Sequence, residues 1–274
     1  MIENRTPRIL PAATRRMETH SGRARALVVI PTYNERENIG KIIPEVMAYD
    51  DFHVLVVDDN SQDGTADVVA EKATGYPERI HLIRRSGKLG LGTAYIAGFT
   101  WALQRDYTHI FEMDADFSHH PATLPRLLQA SRYADLVIGS RYVPGGRTVN
   151  WSPVRKLISR GGSYYARTVL GLPVRDLTGG FKCFRRQVLE EINLSEITST
   201  GYGFQIELTY RAARAGFRIV EIPITFAERL HGTSKMSSTI FFEAMYRVWQ
   251  LRSSNRSWVA RDAMAVPVKE RTGA

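Results

Sequence analysis

The stretch Ile110-Phe-Glu-Met-Asp114-Ala115-Asp116-Phe117-Ser118-His119-His120-Pro121 joins an apolar run to a cluster of polar residues. The apolar run, 108–113, is typical of a buried strand, and the carboxylates of Asp114 and Asp116 follow it. Side chains alternate along a strand, so the two carboxylates share a face if the extended geometry continues. Two such charges about 4 Å apart repel by roughly 4 kcal/mol at an effective dielectric of about 20, unless a divalent cation lies between them. The alternative is a solvated turn that caps a helix beginning near Pro121.

Short apolar runs alternate with helical patterns through the first half of the chain. The runs are typical of the fully buried strands of a parallel sheet, and they lie at 26–30, 53–57, 79–83, 108–113 and 134–138. Pro31 is expected to end the first strand, and Asn34 with Glu37 to form a capping box at the next helix. Strands and helices at this spacing predict a doubly wound α/β sheet, mostly parallel, with helices on both faces.

Polar residues follow each of these predicted strands. They lie at 32–35, 58–63, 88–93, 114–116 and 140–141. In doubly wound sheets ligands bind outside the carboxyl ends of the strands. The sequence therefore predicts one binding site, built from several loops at a single edge of the sheet.

The alternation weakens after residue 146. Helices are predicted at 153–170, from 203 to near Gly216, and near 240–251, with a strand at 218–226. Arg155 and Ser159 are four residues apart and share one face of the first of these helices. The broad apolar face of the last helix indicates core packing, with a contact to a membrane surface or a partner as the alternative.

The net charge of +9 is concentrated at the two ends of the 274-residue chain. Residues 1–25 hold six arginines against two glutamates, and residues 252–274 hold five basic residues against two acidic ones. We predict a basic disordered arm at 1–25, a folded domain at 26–251 and a basic tail at 252–274. Basic ends around a nearly neutral centre suit an anionic membrane surface better than nucleic acid, although they could also serve only solubility.

The single cysteine, Cys183, excludes an intrachain disulfide and favours a reducing compartment. The amino-terminal segment lacks the apolar core of a secretory signal, and no window approaches 18 uninterrupted apolar residues. These features predict a cytoplasmic protein that is soluble or peripheral on the cytoplasmic face of a membrane.

Eight motifs lie in order along roughly residues 26–240. They are Ile30-Pro-Thr-Tyr-Asn-Glu-Arg-Glu-Asn38, Val57-Asp-Asp-Asn-Ser-Gln-Asp-Gly-Thr65, Gly90-Leu-Gly-Thr-Ala-Tyr95, Met113-Asp-Ala-Asp-Phe-Ser-His-His-Pro121, Gly139-Ser-Arg-Tyr142, Leu177-Thr-Gly-Gly-Phe181, Gly203-Phe-Gln-Ile-Glu207 and His231-Gly-Thr-Ser-Lys235. Together they resemble glycosyltransferase family 2, and within it the dolichyl- or polyprenyl-phosphate mannose synthases without membrane spans.

The resemblance implies a GT-A fold that binds GDP-mannose and a divalent cation, Mg²⁺ or Mn²⁺. Mannose would pass with inversion to a polyprenyl or dolichyl monophosphate at an anionic membrane surface, with a membrane-spanning partner protein as a further candidate partner and no nucleic acid. The donor half would be 26–145 and the acceptor half 146–251. Ser118 stands where some relatives place a glutamine metal ligand, and the C-terminal membrane spans of some relatives are absent.

The resemblance also implies roles for individual residues. The nucleotide-sugar positions are Pro31, Tyr33, Glu35, Val57, Asp58, Asp59, Asp114, Ala115, Arg229 and Lys235. The metal ligands are Asp114 and Asp116, and the acceptor-phosphate positions are Arg141, Arg155 and Ser159. The catalytic residues are Asp114, Asp116 and Arg141, and Gln205 and Glu207 are further candidates for the acceptor side.

Alternatives to this function remain at the level of the sequence. A polyprenyl-phosphate glucosyltransferase or another family 2 transferase would share the motifs and use a different donor such as UDP-glucose. A nucleic-acid-binding module with basic arms and a non-catalytic module that recruits a membrane enzyme are the non-enzyme alternatives.

Overall fold

The structure, a computed structural model, describes residues 24–199, 201–228 and 238–253. Its strands are β1 (Ala26–Thr32), β2 (Phe52–Asp58), β3 (Ile80–Arg84), β4 (His109–Glu112), β5 (Leu136–Ser140), β6 (Arg147–Thr148), β7 (Lys182–Arg185), β8 (Ile219–Pro223) and β9 (Thr225–Phe226). Its helices are α1 (Arg36–Met47), α2 (Thr65–Gly75), α3 (Leu91–Leu103), α4 (Leu124–Ala130), α5 (Pro153–Leu170), α6 (Arg186–Glu191), α7 (Gly201–Arg214) and α8 (Ser238–Ser253). Single 3₁₀ turns lie at Pro121–Thr123 and Leu194–Glu196.

A seven-stranded sheet of order β3-β2-β1-β4-β7-β5-β8 forms the centre of the described residues, and β6 pairs with β9 beside it. The neighbours in the central sheet are parallel, except that β7 runs antiparallel to both β4 and β5. This arrangement confirms the predicted doubly wound, mostly parallel sheet.

Alternating side chains of β1 reach two separate cores. Leu27 and Val29 pack with residues of α3, α5, α6, α7 and α8 on one face of the sheet. Ala26, Val28 and Ile30 pack with residues of α1, α2 and α4 on the other face. All five β1 side chains are fully buried, which explains why this strand is a continuous apolar run rather than an alternating one.

The prediction that Pro31 ends the first strand is wrong, because β1 continues to Thr32. Val29 accepts a backbone hydrogen bond from the β4 side, and Pro31, two residues on, faces the same side. Pairing of β1 with β4 ends at Val29 opposite Glu112. The missing N–H of Pro31 therefore costs the sheet no hydrogen bond.

The predicted capping box of Asn34 and Glu37 is also wrong. Asn34 adopts a left-handed backbone conformation with φ of 57°, and α1 begins at Arg36. The loop after β2 caps the helix instead, since Asp63 accepts from the Arg36 N–H at 3.0 Å. The Ser61 hydroxyl accepts from the Asn34 N–H at 2.8 Å. These bonds tie the loops after β1 and β2 into one edge.

The ends of the chain fall mostly outside the described residues. Of the predicted basic arm only residues 24–25 are described, and Arg25 pairs with Asp106 and donates from its backbone to Thr108. Of the predicted tail only residues 252–253 are described, as the end of α8. Among the described helices, none combines the length and apolarity needed to cross a bilayer.

Close packing of α3 on β1 predicts a stability effect at Gly98. A Cβ on Gly98 would overlap the Cγ1 atom of Val29 in the fully buried core. We expect Gly98→Ala to lower the free energy of unfolding by about 1–3 kcal/mol in urea titrations. Gly40→Ala in α1 is the matched control, because its Cβ would meet Val68 at an ordinary 3.6 Å. A Gly98→Ala variant as stable as Gly40→Ala would contradict the packing.

Candidate active site

Polar side chains meet at the carboxyl ends of the parallel strands, as the sequence predicted. Thr32 and Asp58 are the last residues of β1 and β2, which are neighbours in the sheet. Asp114 lies two residues after β4, which pairs with β1 on its other side, and Arg141 directly follows β5. The edge predicted for ligand binding therefore exists in the fold.

Asp114 is half-buried and is held on both sides by aromatic residues. The Tyr95 hydroxyl donates to Asp114 Oδ1 at 3.3 Å, and the Tyr95 ring stacks against Phe99 and Phe204. Burial, together with the charge of Asp114, raises the pKa of Tyr95 well above its usual value. Tyr95 therefore stays protonated and remains a donor to this carboxylate.

Asp116 is buried in a turn of its own. Its Oδ1 atom accepts the Ser118 N–H at 3.0 Å, and Phe117 between them has a φ of 61°. The strand has ended at Glu112, so the extended geometry assumed for Asp114 and Asp116 does not continue. The turn, rather than a strand, determines where the second carboxylate lies.

His119 connects the aspartate loop to the rest of the site. Its Nδ1 atom accepts the Asp114 N–H at 3.1 Å, which places the ring proton of the neutral form on Nε2. Burial lowers the pKa of His119, so the ring is neutral at pH 7. The ring stacks on Phe181 at 4.8 Å and meets Phe226 edge-on at 5.4 Å.

The oxygen atoms of the aspartate loop suit a hard divalent cation. Asp114 and Asp116 supply carboxylates, and the buried Ser118 Oγ has no hydrogen-bond partner among the described residues. Oxygen ligands of this kind match Mg²⁺ or Mn²⁺. Within the described ranges no group of three or more His, Cys, Asp and Glu side chains surrounds a common point. A metal here would draw its remaining ligands from water or a bound phosphate.

Asp58 and Asp59 hold the loops of the edge in place. Asp58 is buried and accepts from the Thr32 hydroxyl at 2.8 Å and from the Ser61 backbone at 2.9 Å. Asp59 accepts from the Gly90 N–H at 3.1 Å and forms an ion pair with Arg85 at 2.8 Å. Both carboxylates thus organise neighbouring loops around the predicted nucleoside site.

The other residues predicted to bind the nucleotide sugar differ in their exposure and in their contacts. Val57 is fully buried in the core, so its side chain is not accessible to a ligand. Tyr33 is partly exposed, and the Lys88 ammonium lies 4.1 Å from its ring centroid. Glu35 accepts from the Asn38 side chain at 2.8 Å. Pro31 is partly exposed and Ala115 is buried beside the aspartates.

Arg141 is buried and makes a two-pronged ion pair with Asp176. Its Nε and Nη2 atoms donate to the two carboxylate oxygens at 2.8 and 2.6 Å, and Nη2 also donates to Thr178. Asp176 is fully buried, and its charge compensates that of the guanidinium. Arg141 is therefore a fixed, already paired cation among the residues predicted to bind the acceptor.

Arg141 and Arg155 both approach the Trp151 ring, and Ser159 binds Tyr142, which lies beside Arg141. The guanidinium carbons of Arg155 and Arg141 lie 4.1 and 5.5 Å from the centroid of the Trp151 ring. Ser159 accepts from the Tyr142 hydroxyl at 2.6 Å. The Trp151 Nε1 and Arg155 Nε atoms are buried and lack hydrogen-bond partners among the described residues. The three predicted acceptor residues are thus neighbours, and two unused N–H donors lie among them.

Phe226 joins the aspartate side to the arginine side. Its ring meets His119 at 5.4 Å, Trp151 at 5.4 Å and the Arg141 guanidinium at 5.2 Å. His119 in turn binds the backbone of Asp114. The carboxylates and the arginines are therefore connected through a short series of contacts.

Gln205 and Glu207, the further acceptor candidates, are buried in structural hydrogen bonds. Gln205 receives the Lys182 ammonium on its backbone oxygen at 2.9 Å, and Glu207 accepts from the Ser199 hydroxyl at 2.5 Å. Arg229 and Lys235 lie outside the described residues. The sequence interpretation assigned no role to His119, Trp151, Asp176 or Phe226. His119 lies in the quoted stretch 110–121 and Trp151 lies beside a helix start, whereas Asp176 and Phe226 offered no local signal.

Comparisons with known proteins agree with this architecture. Residues 27–193 match the family described as Glycosyl transferase family 2. Polyprenol monophosphomannose synthase from Mycolicibacterium smegmatis is 51% identical over 232 residues, which cover 83% of this chain and 88% of that protein. Undecaprenyl-phosphate mannosyltransferase from Micrococcus luteus is 52% identical over 225 residues, which cover 82% of this chain and 92% of that protein.

A solved structure supports the type of fold. Glucosyl-3-phosphoglycerate synthase from Mycobacterium tuberculosis, in complex with Mn²⁺, UDP-glucose and phosphoglyceric acid, superposes with a TM-score of 0.60 at 19% identity. The match covers 85% of this chain and 80% of that one, and it confirms the predicted GT-A fold. Since the family match spans more than half of the chain and both relatives share about half of its aligned residues, this chain belongs to glycosyl transferase family 2.

Proposed function

We propose that this protein transfers mannose from GDP-mannose to a polyprenyl monophosphate of the dolichyl type, with inversion at the anomeric carbon. The product is a lipid-linked mannose. The names of the two relatives support the sugar and the acceptor. The observation that carries the proposal is the contact of Phe226 with His119 on the aspartate side and with Arg141 on the arginine side. A donor diphosphate and an acceptor phosphate can therefore meet in one cleft.

The donor side holds the leaving diphosphate. A divalent metal, such as the Mn²⁺ in the solved synthase structure, supplies Lewis-acid stabilisation of the leaving oxygen when it is bound. Asp114 and Asp116 hold that metal, and Tyr95 and His119 keep Asp114 in position. We also assign the nucleoside to Pro31, Tyr33, Glu35, the backbone of Val57 and the loops that Asp58 and Asp59 hold, and the phosphates to Arg229 and Lys235.

The acceptor side binds an oxygen nucleophile that is already charged. A phosphate monoester has a second pKa of about 6, so at pH 7 it needs no strong general base. Arg155, Ser159 and the Trp151 N–H, which has no partner among the described residues, bind the phosphate. The Arg141 guanidinium, held in place by Asp176, lies beside them at the Trp151 ring. Positioned cations also offset the repulsion between this nucleophile and the donor diphosphate.

Glu228 is an ion-pair partner of Arg155. The Glu228 carboxylate accepts from Arg155 Nη1 at 2.9 Å, and the two side chains are 46% and 20% exposed. A partly exposed ion pair of this kind is worth only about 0–1 kcal/mol. A phosphate, with more charge and more acceptor oxygens than a carboxylate, can displace it.

The direct test is transfer of labelled mannose by the purified protein. We expect label from GDP-mannose to appear on added polyprenyl monophosphate in the presence of Mg²⁺ or Mn²⁺ and not in the presence of EDTA. Unlabelled GDP-mannose should compete more strongly than UDP-glucose. Stronger competition by UDP-glucose would instead support the glucosyltransferase, and EDTA-resistant transfer would contradict the metal site.

We further propose that the protein acts as a peripheral enzyme on the cytoplasmic face of a membrane, with 26–145 as the donor half and 146–251 as the acceptor half. A polyprenyl acceptor requires access to a bilayer, and the basic ends of the chain suit anionic lipids. Salt-sensitive binding to DNA at physiological ionic strength would instead support the nucleic-acid alternative.

A further inference from the structure

Helix α5 has one face in the core and an opposite face that exposes apolar side chains. Ser163, Ala166 and Leu170 are buried on the inner face. The outer face carries Val154, Leu157, Ile158 and Tyr164, which are 66%, 74%, 39% and 69% exposed. Leu157 and Ile158 lie three and four residues after Val154, and Tyr164 lies seven after Leu157, which places the four on one side of the helix. Single exposed apolar residues are ordinary, but four on one helix face indicate an interaction surface.

Helix α8, which lies next to α5, also exposes large aromatic side chains. It packs beside α5, where the Tyr165 hydroxyl donates to the Met245 carbonyl at 3.2 Å. Tyr246 and Trp249 of α8 are 65% and 56% exposed. Tyrosine and tryptophan are the side chains that favour the boundary between a bilayer and water.

Positive charge accompanies these side chains. The 18 residues of α5 include four basic residues and no acidic one. Arg160, Arg167 and Arg175 line a groove of about 330 Å³ together with Tyr142 and Tyr164. One guanidinium group can donate two parallel hydrogen bonds to two oxygens of a phosphate. This groove therefore fits the headgroup of an anionic lipid.

We propose that the outer face of α5, with Tyr246 and Trp249 of α8, docks on an anionic lipid bilayer. The apolar side chains enter the boundary of the bilayer, and Arg160, Arg167 and Arg175 bind lipid phosphates. The absence of acidic residues on α5 favours a negatively charged lipid surface over a protein partner of mixed charge.

The surface lies next to the proposed acceptor site, so it indicates how a lipid acceptor could reach that site. This role in acceptor access rests on the proposed function. Arg155 and Ser159 belong to the same helix, and Tyr142 both lines the groove and donates to Ser159. A polyprenyl chain could therefore stay in the bilayer while its phosphate reaches Arg155. The basic residues at the ends of the chain would strengthen attachment without determining the orientation.

Leu157→Glu tests the surface in the full-length protein. Its side chain is 74% exposed, so we expect folding to be unaffected. Co-sedimentation with phosphatidylglycerol-containing vesicles should show a partition coefficient lowered roughly tenfold or more, because a charged side chain replaces the apolar one that enters the boundary of the bilayer. Tyr133→Glu is the matched control, since Tyr133 is 62% exposed and belongs to neither α5 nor α8. It lies before the amino-terminal end of β5, whereas the candidate site lies at the carboxyl ends of the strands. Arg160→Gln with Arg167→Gln should lose the preference for phosphatidylglycerol over phosphatidylcholine.

Activity assays separate this inference from the proposed function. Leu157→Glu should transfer less mannose to polyprenyl phosphate in vesicles and should match the wild type on a short, water-soluble prenyl phosphate. Absence of transfer by every protein would refute the proposed function and leave the vesicle comparison intact. If Leu157→Glu bound vesicles as well as the wild type does, the proposal that the outer face of α5 docks on the bilayer would be contradicted. The basic chain ends would then be the site of attachment. A change of oligomeric state in that variant, without a change in vesicle binding, would indicate that the outer face of α5 contacts a second copy of this chain. That result would also contradict the proposal of membrane docking.

Discussion

Asp116→Asn should lower the rate of mannose transfer by on the order of 10³-fold or more, because it removes a negative ligand from the cation that stabilises the leaving diphosphate. The asparagine amide oxygen can still accept the Ser118 N–H, so the turn that positions residue 116 is kept. Initial rates at saturating GDP-mannose, polyprenyl phosphate and Mn²⁺ measure the effect. The thermal midpoint without metal should stay within about 4 °C of the wild type, which corresponds to about 1 kcal/mol.

Metal binding gives a second readout that does not depend on turnover. Mn²⁺ should raise the thermal midpoint of the wild type, because a ligand of the native state stabilises it, and should raise that of Asp116→Asn much less. Asp67→Asn is the control, since Asp67 lies on α2, is 78% exposed and pairs with surface Arg84. Full activity in Asp116→Asn, or an equal Mn²⁺ shift in all three proteins, would refute the metal assignment.

Asp176→Asn should destabilise the protein by about 3–5 kcal/mol, because it leaves the buried Arg141 guanidinium without a counter-charge. Arg141 is 5% exposed and Asp176 is fully buried, so water cannot replace the lost partner. Asparagine has nearly the same shape as aspartate, which limits any contribution from a cavity. Urea titration with extrapolation to water measures the change in free energy of unfolding.

Glu228→Gln is the matched control for that experiment. It neutralises the partner of another arginine, Arg155, but in a partly exposed pair, and should cost no more than about 1 kcal/mol. The double variant Arg141→Met with Asp176→Leu should recover part of the stability lost in Asp176→Asn, because no buried charge remains unpaired. An Asp176→Asn variant as stable as Glu228→Gln would show that the pair does not compensate the Arg141 charge.

Most of the fold was predictable because the signals that specify it are local. Fully apolar runs such as 26–30 become central strands, and the spacing of Ile39, Ile42, Ile43 and Val46 becomes the buried stripe of α1. The errors occur where distant residues decide. Pro31 is tolerated because β4 has already ended beside it, and α1 is capped by Asp63 from the next loop. Neither contact can be recognised from the residues next to Pro31 or Arg36 in the sequence.

The candidate site divides in the same way. Asp114, Asp116, Arg141, Arg155 and Ser159 were identifiable because they follow strands or share a helix face. The roles of their neighbours were not. Asp176 lies 35 residues from its partner Arg141, and nothing in the pattern around it distinguishes a buried counter-ion from a surface carboxylate. Exposure of the outer face of α5 likewise depends on which side of the helix meets the core.

The amino-acid sequence by itself determined the doubly wound sheet, the polar edge at which we expect ligands to bind and the residue types that gather there, because strand and helix periods and the polarity of strand ends act over a few residues. The tertiary structure decided which charges are paired and which apolar faces are left open. Arg141 is paired with Asp176, Asp58 and Asp59 hold loops together, and Leu157 is exposed. Burial and charge pairing arise from packing between segments that are distant in the chain, and no local pattern encodes them.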